Sequence, residues 1–408
     1  MILFKNAIEQ IIASVSALTV EEIPIERAVN RVLSSSVSSA EALPPFTNSA
    51  MDGFAVSSRD FLNLSTPFQF RVNGIIAAGD APIERLNGPN ECWEIMTGAP
   101  VPAQCDTVIK VEETKRDGDY IHIHRAPVAG ENIRNAGEDF RMGMPVAQPG
   151  TRLYPEHLMA FSALGVRNVS VFRSPRVGVV STGGELASNA ALGSGKIRNS
   201  TAPYLLAELN ALGMEAHFLG VVADEPKAFL KLMEEQLSQD VEVILSTGAV
   251  SMGRYDFVAS ALRDLGAEIL FHKVAIRPGK PILFAKMGKT AFFGVPGNPV
   301  STAVGLRFFV EPYLRALQGV LQESPHRAIL ENDTKKPSGL RCFFKAKTSH
   351  ERSQQSVTIL KGQESFRIAP FLTANSWAIL PEDGVSVAKG SEIDFYPLHS
   401  WGHKEDSL

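Results

Sequence analysis

From Arg176 to Leu317 the chain alternates short, almost wholly apolar runs with segments of helical periodicity, and few folds accept that order. The runs Arg176–Ser181, Ala216–Val222, Val241–Ser246 and Glu268–Val274 predict strands, with Ile282–Lys286 and Ala291–Val295 as two more. The intervening segments predict helices at Thr201–Leu212, Pro226–Gln239 and Tyr255–Leu265, and a long one at Val300–Leu317, with Asn199 or Ser200 as the N-cap of the first. Strands without polar alternation need cover on both faces, and helices between successive strands supply it, so this region predicts a mostly parallel α/β sheet. Ligands of such sheets sit beyond the carboxyl ends of the strands, which directs attention to the loops after Val180, Val222, Leu245 and Val274.

The flanking regions read differently. Residues 1–40 predict helices with short connections, the first carrying Phe4, Ile8, Ile11, Ile12, Val15 and Leu18 at helical spacing. A serine patch and Leu43-Pro44-Pro45 then mark a border. From about 45 to 140 short β-like runs (Gln69–Val72, Thr107–Val111, Tyr120–His124) alternate with turns and predict a small β-rich unit, in which Asp52-Gly53 reads as a hairpin turn. A helix at Pro155–Leu164 and a strand at Asn168–Phe172 follow. Beyond 322 the runs Arg341–Lys345, Ser356–Leu360, Trp377–Leu380 and Glu392–Tyr396 predict a small β-barrel or sandwich. The expected division is 1–42 with 141–173, 43–140, 174–321 and 322–408.

Composition excludes several classes. Hydrophobic residues make up 44% and charged residues 21%, with 40 cationic against 44 acidic side chains, so a basic nucleic-acid-binding domain is not expected. No apolar run reaches the roughly 18–20 residues that span a bilayer, and Glu9 breaks the only N-terminal candidate, so no membrane attachment is expected. Cys92, Cys105 and Cys342 are too scattered for a disulfide framework or a cysteine zinc site, which fits a cytoplasmic protein.

Three carboxylates, Glu185, Asp224 and Asp256, follow predicted strand ends. Each alone reads as an ordinary acidic residue near a helix start; three together, each beside small residues, predict a Mg²⁺ site shared with substrate phosphates. The loops Thr182-Gly183-Gly184 and Ser246-Thr247-Gly248, with Ser251 beyond, bring small residues and free N–H groups to the same rim and suit an anion. Pro296-Gly297-Asn298 does the same before the last helix. Lys273, Arg277 and Lys280 supply cations to balance the carboxylates. No dinucleotide fingerprint is present, and Gly288-Lys289-Thr290 has the end of a phosphate loop but Leu283 where its first glycine belongs, so it reads as a turn. His122 and His124 read as a solvated strand face.

Several ordered segments resemble the molybdopterin molybdenumtransferase family (MoeA and the gephyrin E domain). They are Pro44–Ala55, Ile95–Ala99, Asn132–Arg134 with Gly137–Asp139, Ser181–Leu186, Ile197–Ser200, Ile244–Asp256, Lys273–Pro281 and Gly294–Ser301. The resemblance implies a multidomain α/β plus β fold. Its parts would be a linking domain I, a small β-rich domain II, a three-layer molybdopterin-binding domain III like the molybdopterin-adenylating proteins, and a C-terminal β-barrel domain IV. It implies a homodimer with a shared active site, where adenylylated molybdopterin and molybdate become molybdenum cofactor and AMP with Mg²⁺. It also implies contact with the adenylyltransferase and with molybdoenzyme maturation proteins. Carried over by motif, the functional positions fall on Asp52, Thr97, Glu185, Asp224, Asp256 and Lys273; Ser365, a looser match, and Lys345, which keeps a charge, would bind substrate or anion. Arg277 and Lys345 stand where the family usually has Lys and Arg. Two alternatives follow: the adenylyltransferase itself, or a pterin-binding relative without turnover.

Overall fold

The computed structural model describes residues 1–16, 18–63, 66–83, 88–187, 194–223, 225–249, 257–351 and 354–400. The fold is multidomain, α/β plus β. At its centre is a six-stranded sheet ordered Glu215–Val222, Arg176–Thr182, Val243–Thr247, Thr290–Val295, Leu283–Met287, Glu268–His272. The first four strands run parallel and the last two pairings are antiparallel. Two reversals leave Glu268–His272 pointing the same way as the parallel strands, so its carboxyl end shares their rim. The hairpin that creates the reversal turns on Gly288 at φ +59 between the paired Met287 and Thr290, which makes Gly288-Lys289-Thr290 the turn that its sequence predicts. Helices Thr201–Ala211, Pro226–Ser238 and Val258–Asp264 cover the sheet.

The predicted long helix spans Pro299 to Leu317 but widens to π geometry over Leu306–Val310. Pro312 lies just beyond; its missing N–H and its ring, which would strike the carbonyl of Phe308, account for the widening.

The N-terminal forty residues correct the helical expectation. Among the described residues of this segment only Phe4–Ala13 is an α-helix; Val20–Pro24 is a strand paired antiparallel with Asn168–Phe172. The helix buries Ala7 and Ile11 in the α/β core, and Phe4 stacks edgewise on Phe309 at 5.5 Å and Phe343 at 5.3 Å.

The β-rich unit is a six-stranded sheet ordered Thr107–Lys110, Gly53–Val56, Glu91–Ile95, Phe68–Ile76, Tyr120–Ile123, Thr114–Asp117. Here Asp52-Gly53 is no hairpin turn: Gly53 opens an interior strand, paired with Ile95 on one side and Lys110 on the other. The C-terminal region closes as a barrel of Arg341–Glu351, Gln354–Ile359, His326–Leu330, Glu392–Pro397 and Ser376–Leu380. Cys342, Phe344 and Ala346 point into the barrel. Phe343 takes the opposite face and joins the α/β core, so one core cluster welds barrel, sheet and N-terminal helix together.

Candidate functional site

The strand ends of the central sheet are held in register by hydroxyl groups. Thr182 Oγ1 donates to Thr247 O at 3.1 Å, Thr247 Oγ1 to Ser181 Oγ at 3.1 Å, and Asn199 Nδ2 to Ser181 Oγ at 2.9 Å. Asn199 Oδ1 accepts from Ala202 N–H at 3.1 Å and thereby caps the helix that follows. Gly248, at φ +89, is required by closeness as well as by conformation: a Cβ there would lie 2.5 Å from Thr182 O.

Above these ends lies a cleft of about 840 Å³. The α/β unit supplies Thr182, Glu185, Thr247, Gly248, the Arg277–Pro281 loop and the Pro296–Pro299 turn; the barrel supplies Gln363–Phe366. The two units are joined beside it. Ile276–Arg277 pairs with Arg341 and Cys342 of the barrel, and Val300 N–H donates to Ser365 O at 3.0 Å. Among the described lining residues, Arg198, Arg277 and Lys280 face Glu185 and Glu364, three cations against two carboxylates. Glu364 is paired with Arg367 at 3.0 Å. A cleft with exposed guanidinium and ammonium groups, backbone N–H groups and one carboxylate at a strand end suits a multiply charged anion carrying a cation.

Glu185 and the two residues after it are not helical, and the next helix among the described residues begins at Thr201. The Glu185 backbone instead pairs with Ile197, whose N–H donates to Glu185 O at 2.9 Å. The carboxylate occupies the space that a side chain on Gly183 would take, since a Cβ there would sit 2.6 Å from both oxygens. Among the described residues Glu185 therefore adjoins no helix terminus.

The expected site residues divide. Thr182, Glu185, Thr247, Gly248, Arg277, Lys280, Pro296, Gly297, Asn298 and Ser365 are brought together on the cleft. Ser246 is buried beneath it. Gly183 and Gly184 adjoin it without being among its walls, and Lys273, at φ +77, lies outside it with its backbone held between Ile2 and Ile282. Lys345, expected as an anion contact, is fully buried on the barrel; its ammonium donates to the carbonyls of Gly362, Arg367 and Glu364 at 2.7, 3.0 and 3.4 Å. Burial draws its pKa below the ordinary lysine value. Asp224, Ser251 and Asp256 lie outside the described residues. Among the described residues no group of three His, Cys, Asp or Glu side chains is placed to hold a metal. Arg198, Asn199, Gln363 and Phe366 line the cleft and were not expected there; Arg198 and Asn199 belong to a motif of the resemblance, whereas nothing in the sequence marks Gln363.

Asp52 and Thr97 form a second, smaller arrangement in the β-rich unit, away from this cleft's walls. The Thr97 N–H and hydroxyl both donate to Asp52 Oδ1, at 2.7 and 2.8 Å, and the backbone bond first, the hydroxyl second, hold the carboxyl below its model-peptide value of 3.8. A depressed carboxyl favours the folded state above the unfolded pKa and loses that preference as pH falls through the lower folded value. Thr97→Val keeps the backbone donor and removes the hydroxyl, so it should raise the Asp52 pKa part of the way toward 3.8 in a ¹³C-carboxyl NMR titration. No upward movement would mean that the hydroxyl bond does not form.

Residues 2–165 match the family described as MoeA N-terminal region (domain I and II), 178–316 the probable molybdopterin binding domain, and 327–398 the MoeA C-terminal region (domain IV). The molybdopterin molybdenumtransferase of Synechococcus elongatus is 38% identical over 403 residues, 97% of this chain and 99% of the relative. That of Bacillus subtilis is 32% identical over 372 residues, covering 88% and 86%. A crystal structure of the molybdopterin biosynthesis MoeA protein from Pyrococcus horikoshii superposes with a TM-score of 0.81 at 29% identity, covering 98% of this chain and 100% of that one.

Proposed function

Because the chain belongs to the MoeA family of molybdopterin molybdenumtransferases, we propose that its cleft binds adenylylated molybdopterin and molybdate and is where molybdenum is inserted. The enzyme acts in molybdenum cofactor biosynthesis. The observation that carries the finer reading is the cleft itself: three cations, strand-end N–H groups and Glu185 gathered within a region that matches a molybdopterin-binding domain. The adenylyltransferase alternative leaves residues 2–165 and 327–398 unexplained, and both match MoeA regions.

Arg277 and Lys280 hold the phosphate and oxyanion charge, and the loops at Gly248 and Gly297 orient the phosphate through backbone N–H groups. For Mg²⁺ the fit is one of donor chemistry. Glu185 presents an exposed oxygen ligand at the rim, and Asp224 and Asp256 would complete the set. Held there, such an ion would supply charge that polarises the phosphoanhydride oxygens. Hydrolysis of the adenylate adds water to phosphorus and breaks the bridging P–O bond, which yields AMP and the pterin phosphate. At the dithiolene, two sulfurs replace one oxide of molybdate, which leaves as water with the two thiol protons; no electrons are transferred.

Asp52 and Thr97 lie off the cleft walls of their own chain, which supports a homodimer in which they complete the partner's cleft. No helix among the described residues is long and apolar enough to cross a membrane, and Cys92, Cys105 and Cys342 are buried thiols, in keeping with work in the cytoplasm. Contacts with the adenylyltransferase and with molybdoenzyme maturation proteins belong to the same reading.

The test is AMP release by the purified protein given adenylylated molybdopterin, with molybdate and Mg²⁺ supplied separately and together. Release should require both. Tight pterin binding with no release under any condition would replace this reading with a binding protein without turnover.

A further inference from the structure

We propose that Lys345 and Gln363 are a pair of positioning residues that lock the barrel loop 362–367 in place as a wall of the cleft, and that Lys345 acts through this loop and not as a contact to the anion. The inference rests on the cleft being the substrate site.

Lys345 lies on the strand Arg341–Glu351, on the same outer face of the barrel as Phe343, two residues earlier. It is fully buried. An ammonium has three N–H donors, and here three carbonyls receive them, those of Gly362, Glu364 and Arg367. Those acceptors bracket the loop, so the side chain gathers the backbone of 362–367 around a single point. With its donors engaged and its surface covered, the ammonium has no hydrogen to offer an anion in the cleft.

Gln363 returns the interaction. Its Oε1 accepts from Lys345 N–H at 3.0 Å, and its Nε2 donates to Lys345 O and Leu360 O, each at 2.8 Å. The side chain of each residue thus holds the backbone of the other's segment. The far side of the loop is fastened to the α/β unit by Val300 N–H to Ser365 O at 3.0 Å. Gln363, Glu364, Ser365 and Phe366 then present themselves to the cleft opposite Arg277 and Lys280. Release of the Lys345–Gln363 lock removes these ties, leaves the bond from Val300 to Ser365, and lets this wall move relative to the cations.

The experiment compares Lys345→Met with Gln363→Ala in the full-length protein. Gln363→Ala leaves every charge and the ammonium cradle in place. Amide hydrogen exchange is read over 362–368, with Arg176–Thr182 and Ser376–Leu380 as fold controls, and the KM for molybdate is read from AMP release. Both variants should speed exchange of 362–368 by about tenfold or more and raise the KM for molybdate by a similar factor, with the control strands still protected. A raised KM in Lys345→Met with unchanged loop exchange and a silent Gln363→Ala would overturn the proposal and make Lys345 a direct anion contact. Faster exchange in both variants with an unchanged KM would overturn it too, because the loop's position would then not matter to the site. Exchange is read without substrate, so a wild-type protein that releases no AMP would count against the cleft reading and leave the lock itself tested.

Discussion

Glu185→Gln should lower kcat for AMP release by roughly 10²–10³, equivalent to about 3–4 kcal/mol, and raise the Mg²⁺ concentration needed for half-maximal rate. The substitution keeps the size of the side chain and one oxygen acceptor, and removes the charge. Glu185 is exposed at the strand end and lies over Gly183, where nothing but a glycine leaves room for the carboxylate. The next helix among the described residues begins at Thr201. The backbone pairing of Glu185 with Ile197 is untouched by the change, so thermal stability should move by less than about 0.5 kcal/mol. AMP release measured across a Mg²⁺ titration separates the outcomes. A normal rate at every Mg²⁺ concentration would remove Glu185 from the site and leave the carboxylate chemistry to Asp224 and Asp256.

The central sheet was legible because its strands are buried on both faces. Val177, Val179, Val180, Val243, Ile244, Leu245 and Phe293 are all essentially inaccessible, so the apolar runs themselves mark the strands. The edge hairpin at Gly288-Lys289 reverses the chain without changing that pattern, and periodicity cannot report direction. Val20–Pro24 was not legible as a strand for the opposite reason. Only Ile23 is buried in it, and its partner strand Asn168–Phe172 lies far along the chain, so no local signal exists for the pairing.

The α/β half of the site could be read because its loops follow strand ends that were themselves visible: Thr182, Glu185, Gly248, Arg277 and Lys280 all reach the cleft. The barrel half depends on docking of one unit against another. Gln363 and Phe366 have no local mark of function, since what brings them to the cleft is the closure of the barrel and the bond from Val300 to Ser365. Lys345 shows the limit most plainly. A lysine within the continuous buried run Cys342–Ala346 signals a charge with a fixed partner. It does not say whether that partner is an anionic ligand or, as found, three backbone carbonyls.

Gly53→Ala should destabilise the β-rich unit by about 3 kcal/mol or more, a large effect for one methyl group. The reason is space, since Gly53 is not among the glycines in the left-handed region. A Cβ at this position would fall 1.9 Å from Ile109 O, 2.8 Å from Ile109 C and 3.1 Å from Lys110 Cα. Those atoms belong to the backbone of the adjacent strand, which is tied to this one through Phe54↔Ile109 and Gly53↔Lys110 and cannot withdraw without opening the ladder. The displacement also reaches Asp52, whose carbonyl accepts from Val111 N–H at 3.1 Å on the far side of the same pairing. Gly88→Ala is the matched comparison. The nearest atoms to its added Cβ are those of the Glu91 carboxylate, from 3.3 Å, and this side chain can give by a few tenths of an ångström while keeping its bonds to Gly88 N–H and Asn73, so the cost should stay within about 1 kcal/mol. Calorimetry of the two variants should show a transition lowered strongly in Gly53→Ala and scarcely in Gly88→Ala. Equal, small shifts would mean that the strands Gly53–Val56 and Thr107–Lys110 do not approach so closely, and that the glycine beside Asp52 has some reason other than room.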